Sequence, residues 1–127
     1  LVNKYKQSRH KHPHWKGYGK ISGSFFSNIK RKAKSRGIKF NISIKYIWGL
    51  YERQEGKCAL SGLSLSLPKN SRSDRNHTAS LDRINSKKGY IKGNVQWLFK
   101  DINLIKWHFP QKHFLFLCNK ITKNMRK

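Results

Sequence analysis

Acid is what this chain has least of. Five Asp and Glu stand against 29 Lys and Arg in 127 residues, a formal net charge of +24 at pH 7. That excludes a surface of balanced, paired charges. Self-repulsion on this scale opposes a compact monomer, and a polyanionic partner relieves it. Cysteine is scarce too. Cys58 and Cys118 both sit in apolar company (CAL and FLFLC), which suits reduced, buried side chains better than a disulfide or a metal cage. No apolar run approaches the length of a membrane span, and no secretory pattern opens the sequence, so an intracellular, cytoplasmic protein without a membrane partner is expected.

What is present is enough for one modest core. Hydrophobic residues make up 36% of the chain, with four Trp and seven Phe. The expectation is a basic arm over residues 1–20 and a single domain over 21–127. The basic residues are spread along the chain and interleaved with aromatics. A membrane-surface protein would gather them on one amphipathic helix, so nucleic acid is the favoured polyanion.

Periodicity places the elements. A helix is expected from Ser22 or Ser24, either of which can cap it, to Gly37. Phe25, Phe26, Ile29 and Ala33 form its apolar strip. Lys30, Arg31, Lys34 and Arg36 surround that strip with charge suited to a phosphate backbone. Phe40–Ile42 reads as extended. Ser43 then caps a second helix, with Ile44, Ile47, Trp48 and Tyr51 on the buried side and Gly56 at the end. Near its end, Glu52 and Glu55 are expected to pair with Arg53 and Lys57. A turn at Ser61-Gly62 leads to a short alternating strand, and residues 68–77 read as a loop. A last helix, Gln111 to Ile121, carries Phe114, Leu115, Leu117, Cys118 and Ile121, a pattern expected to pack on the core. In the arm, His10, His12 and His14 alternate. Pro13 and the absence of nearby Cys or acid favour a phosphate-facing arm or disorder over a metal site.

The stretch Ala79–His108 organises the rest. Alternation through ASLDRI makes a strand, with Leu81 and Arg83 facing one way and Ser80 and Asp82 the other. A Lys/Gly-rich loop carrying Lys87, Lys88 and Lys92 follows, then an apolar strand, Val95 to Phe99. The period next becomes helical through Ile102, Leu104, Ile105 and Trp107, and Pro110 closes it. Asn103 and Lys106 lie three apart on that helix and share a face. Asp82 at a strand end, opposite a helical amide oxygen, can hold one hard divalent cation, because Mg²⁺ needs only one or two protein oxygens. Lys106 is placed to neutralise a phosphate. The bland alternative pairs Asp82 with Arg83 or a lysine and puts the Asn residues in turns.

In order, the blocks WKGYGKISGSFFSNIK, RGIKFNISIKYIWGLYERQEGKCALSG, ASLDRI, GYIKGNVQW and KDINLIK resemble the HNH, or His-Me finger, endonucleases, most closely their small phage-type members. The resemblance runs from about Trp15 to Ile121. It implies an α+β fold with a ββα-metal core over about 78–109, flanked by basic N-terminal helices and a C-terminal helix. It also implies metal-dependent DNA cleavage with Mg²⁺ or Mn²⁺. By resemblance, Asp82 is the metal-binding acid and Asn103 completes the metal site. Asn94 ties down the loop and positions the base, and Arg83 stands where the family has its general-base histidine.

This chain departs from that pattern twice. Cys58 is followed by Ser61 where many members have a Cys-x-x-Cys pair, so no structural zinc is expected. A guanidinium cannot take a proton from water at neutral pH, so Arg83 better clamps a phosphate. His77, His108 or a metal-bound water then becomes the base. The expectation is a nicking endonuclease on double-stranded DNA, with RNA as the other candidate substrate and a monomer or homodimer as the working unit. The alternatives are a non-catalytic nucleic-acid binder and a component of a nucleoprotein assembly that keep only the fold.

Overall fold

The computed structural model describes residues 16–69 and 76–127, an α+β arrangement of four helices and two small sheets. The histidines at 10, 12 and 14 lie outside the described residues. Helix α1 spans Gly23–Ser35. Ser22 caps it, its side chain accepting from Phe25 N at 3.0 Å. The helix ends two residues before Gly37, which takes φ +70°. Gly37 N donates to Lys34 O and Ile38 N to Ala33 O, the paired bonds of a Schellman motif.

A two-residue strand, β1 (Phe40–Asn41), leads to α2 (Ile44–Arg53), capped by Ser43 through Tyr46 N at 3.0 Å. Two left-handed residues follow its end, Glu55 at φ +56° and the expected Gly56 at φ +67°. Gly56 N reaches back to Tyr51 O and Glu55 N to Glu52 O. Neither glutamate forms an ion pair among the described residues, so the pairing expected with Arg53 and Lys57 is not made. The expected strand after Ser61-Gly62 is reduced to one bridge, Lys57 with Ser64. Leu65 N donates to Gly56 O, and Leu65 O accepts from the Tyr51 hydroxyl.

The centre is an antiparallel ribbon of β2 (Ala79–Arg83) and β4 (Val95–Phe99), with Leu81 opposite Trp97 and Asp82 opposite Gln96. Side chains opposite one another share a face. One face carries Ala79, Leu81, Val95 and Trp97 into the core with Ile21, Ile42, Ile47, Trp48 and Tyr51. Trp97 is fully buried, and its indole N–H donates to Ile47 O at 2.9 Å. The other face carries Ser80, Asp82, Gln96 and Leu98, and packs against α3 (Lys100–Lys106). Both faces of the ribbon are therefore covered.

The loop between the ribbon strands contains β3 (Tyr90–Ile91), which pairs in parallel with β1. The sequence pattern shows no strand there. Gly89 makes the pairing possible, since a Cβ on it would lie 2.5 Å from Lys39 O. Phe40 packs on Tyr90 at 5.5 Å between centroids, anchoring the loop to the chain between α1 and α2.

The last helix, α4, spans Gln111–Met125 and buries only Phe114. Leu115, Phe116, Leu117, Ile121 and Met125 are exposed, so the expectation that this helix packs its apolar pattern on the core is not met. Both cysteines are free thiols, Cys58 buried and Cys118 half-buried. Burial raises the Cys58 thiol, but hydrogen bonds from Ser61 and from the Phe99, Ser61 and Leu60 backbone outweigh it, leaving its pKa below the ordinary value. No helix among the described residues is long and apolar enough to cross a membrane.

Candidate functional site

Register places the site. Asp82 pairs with Gln96 across the ribbon, on the face that α3 covers, and α3 brings Lys106 down onto Asp82. Lys106 is fully buried and Asp82 is 5% exposed. The ammonium lies 2.9 Å from Asp82 Oδ2 and 3.2 Å from Oδ1, and also donates to Arg83 O at 3.0 Å. Gln96 Nε2 donates to the same Oδ2 at 2.9 Å and to Gln111 Oε1 at 2.7 Å, linking the pair to the start of α4. A buried charge needs such company, because desolvation otherwise outweighs attraction. Lys106 was expected to meet phosphate. Its burial removes it from that role, and its charge is spent on Asp82.

Above this pair opens a cleft of about 350 Å³. Asp82, Arg83, Asn103 and His108 all line it, with Arg36 and Lys100 adding positive charge. Thus the residue that caps the end of α1, the first ribbon strand, α3 and the turn after it each contribute to one concavity. Asn103 donates its amide N–H to Ser80 Oγ at 2.7 Å, and its amide oxygen accepts nothing among the described residues. His108 lies in the turn after α3, where its carbonyl accepts from Ser86 Oγ at 3.0 Å.

Asn94 is buried and holds the loop from inside. Its amide donates to Asn85 O and Gly89 O and accepts from Asn85 N, all within 3.0 Å. Arg83 braces the same loop, one guanidinium nitrogen donating to Ser86 O at 2.8 Å and Lys88 O at 3.0 Å over the Tyr90 ring. Arg83 also lines the cleft.

His77 is not part of the cleft. Its ring meets Phe25 edge-on at 5.2 Å, and Phe25 stacks on Trp97, on the opposite face of the ribbon from Asp82. Of the two histidines expected as candidate bases, the fold places only His108 with Asp82. Lys30, Arg31 and Lys34 are exposed on α1, and Lys87, Lys88 and Lys92 are exposed on the loop. Arg36 and Lys100 at the cleft were foreseen only in part. Arg36 reads from the sequence as one of the helix cations facing a phosphate backbone, and Lys100 carries no signal beyond its position at the start of α3.

The donors present suit a hard cation. Asp82 uses two lone pairs on Oδ2 and one on Oδ1, which leaves one on Oδ1, and the Asn103 amide oxygen is open. Two protein oxygens with water and substrate phosphate satisfy Mg²⁺. No cluster of three or more His, Cys, Asp or Glu occurs among the described residues, so a zinc cage of that kind is not found there. No protein-family model, curated protein or solved structure matches this chain.

Proposed function

We propose that this protein is a metal-dependent endonuclease with a ββα-metal core of the HNH kind, made by β2, β4 and α3, acting on nucleic acid through the cleft above Asp82. One observation carries the reading. A carboxylate, an amide oxygen without a partner among the described residues, an imidazole and several cations converge on one concave site in a chain of net charge +24. Asp82 Oδ1 and the Asn103 amide oxygen would hold Mg²⁺ or Mn²⁺, which when bound supplies positive charge at the departing oxygen of a phosphodiester.

The chain's own residues do the rest. Arg36 and Lys100 bind the substrate phosphate at the cleft wall. Arg83 holds the loop through its two carbonyl bonds and presents its other N–H groups to the same phosphate. Lys106 and Gln96 fix the Asp82 carboxylate in orientation. Ser80 fixes the Asn103 amide. His108 takes the proton from the attacking water, the role Arg83 cannot fill. With one such site per chain, double-stranded DNA is nicked one strand at a time.

A binding-only protein is the second reading, and a specific observation favours it: Lys106 already neutralises Asp82, which weakens the site's pull on a cation. A plasmid nicking assay in Mg²⁺ or Mn²⁺, with and without chelator, separates the two. The informative variant is His108→Ala, because His108 is exposed and its side chain supports no core contact. The endonuclease reading expects chelator-sensitive nicking that falls about 10²-fold or more in the variant while DNA binding persists. Salt-sensitive binding with intact plasmid under every condition leaves the binder.

A further inference from the structure

Helix α3 is built the wrong way round for a core helix. It buries Lys106 and exposes Leu104, Ile105 and the Trp107 that follows, at 75%, 62% and 66%. Trp107 takes φ +52° with ψ −130°, a backbone conformation a bulky side chain rarely adopts. Water gains nothing from this arrangement, and the core gains nothing either.

The ring does not stand alone. Trp107 lies 3.7 Å from His108 between centroids, His108 is 5.9 Å from Phe109, and Phe109 is 5.6 Å from His113. His113 stacks near-parallel on Phe116 at 6.4 Å, and Lys120 sits over the Phe116 ring at 5.6 Å. These residues form an aromatic ridge that starts at the cleft, which Trp107 and His108 both line, and climbs α4. Lys112, Lys120 and Lys123 are exposed along the same helix.

We infer that this ridge is a stacking platform for the bases of an unpaired strand, so that the cleft receives single-stranded or locally opened nucleic acid. The inference rests on the proposed reading of the cleft as a phosphodiester site and names the form of substrate that site takes. Two features select this occupant. The ridge is continuous with a cleft that presents Arg36, Arg83 and Lys100 to a phosphate, and the flanking lysines match a polyanion rather than an apolar protein face. Aromatic rings spaced between cations follow a single strand because every base has a face to stack while its phosphate reaches a lysine. A closed duplex offers phosphates and groove edges but no base faces, so the rings gain nothing from it.

The test is equilibrium binding by the full-length chain, in chelator so that nothing is cut, to fluorescent oligo-dT and to a mixed-sequence duplex. The variants are Trp107→Ala, Phe116→Ala and the pair, with thermal melts to confirm folding. Base stacking predicts that the double variant loses about tenfold or more in oligo-dT affinity with its salt slope unchanged, while duplex affinity moves less than about twofold. It also predicts that oligo-dT quenches tryptophan emission in the wild type, and that this quench largely disappears in Trp107→Phe.

Equal losses on both ligands, or no loss on either, would overturn the platform. So would sedimentation showing a wild-type dimer that the double variant turns into a monomer, which would assign the ridge to a contact between copies. Nicking by the wild type is measured separately. A protein that never nicks but stacks oligo-dT as described refutes the cleft reading alone. One that nicks while its ridge variants bind oligo-dT normally refutes the platform alone.

Discussion

Lys106 is the residue on which the site turns. Its ammonium makes three hydrogen bonds in a place without solvent, two to Asp82 and one to the Arg83 carbonyl. Removing one partner of such a pair leaves the other charge buried and unpaired, which costs about 3–5 kcal/mol. Lys106→Met is therefore expected to lower stability by that amount in urea unfolding. Replacing both members, with Lys106→Met and Asp82→Leu together, should recover much of the loss. A double variant as unstable as the sum of the two singles would show that the pair is not coupled. Next to it, Trp107 pays for its position in backbone strain, of order 1–3 kcal/mol for a non-glycine residue in that region. Trp107→Gly should raise the thermal midpoint while weakening oligo-dT binding, a split that separates what the fold needs at this position from what a ligand needs.

At the scale of elements, the parts governed by local chemistry were legible. Ser43 reads as a cap and is one, and of the two candidates Ser22 and Ser24 the cap is Ser22, because an N-cap needs only a hydroxyl and the next three residues. The alternation through ASLDRI gave the correct faces, and the apolar run after Asn94 became β4. The failures share a physical cause. Periodicity counts apolar residues and assumes they face inward. In α3 the inward position belongs to Lys106, because its partner acid arrives from a strand far away in sequence. In α4 Leu115, Phe116, Leu117, Ile121 and Met125 stay exposed, with no core face of the described residues against them. A two-residue parallel pairing such as β1 with β3 leaves no periodic trace, and only the tight space at Gly89 marks it. The end of α2 gives a prediction at this scale. Glu55 occupies the left-handed position of the terminating motif, where glycine is favoured. Glu55→Gly should stabilise the chain by about 1 kcal/mol in thermal or urea unfolding. A neutral or destabilising result would mean that the lost side chain matters more than the relieved backbone.

Across the whole molecule, charge outweighs every local term. With a formal net charge of +24 and one ion pair among the described residues, most of the cations have no acid to pair with. Long-range repulsion of this kind is screened within about 10 Å at 0.1 M salt. The folded state concentrates the charge more than the unfolded chain does, so screening should favour folding. Apolar burial alone would show only the weaker, ion-specific dependence on salt. The thermal midpoint is therefore expected to rise as NaCl goes from low to moderate concentration. It should rise further at a much lower concentration of a polyanion such as heparin, which neutralises many charges at once. Binding should run the other way. Affinity for any nucleic acid should fall steeply with salt, and replacing Lys30 and Arg31 by Ala should flatten that slope without changing sequence preference, since exposed helix cations meet phosphates rather than bases. A midpoint indifferent to both salt and heparin would mean that the charges are too far apart to strain the fold, and that the basic surface is set by its ligand alone.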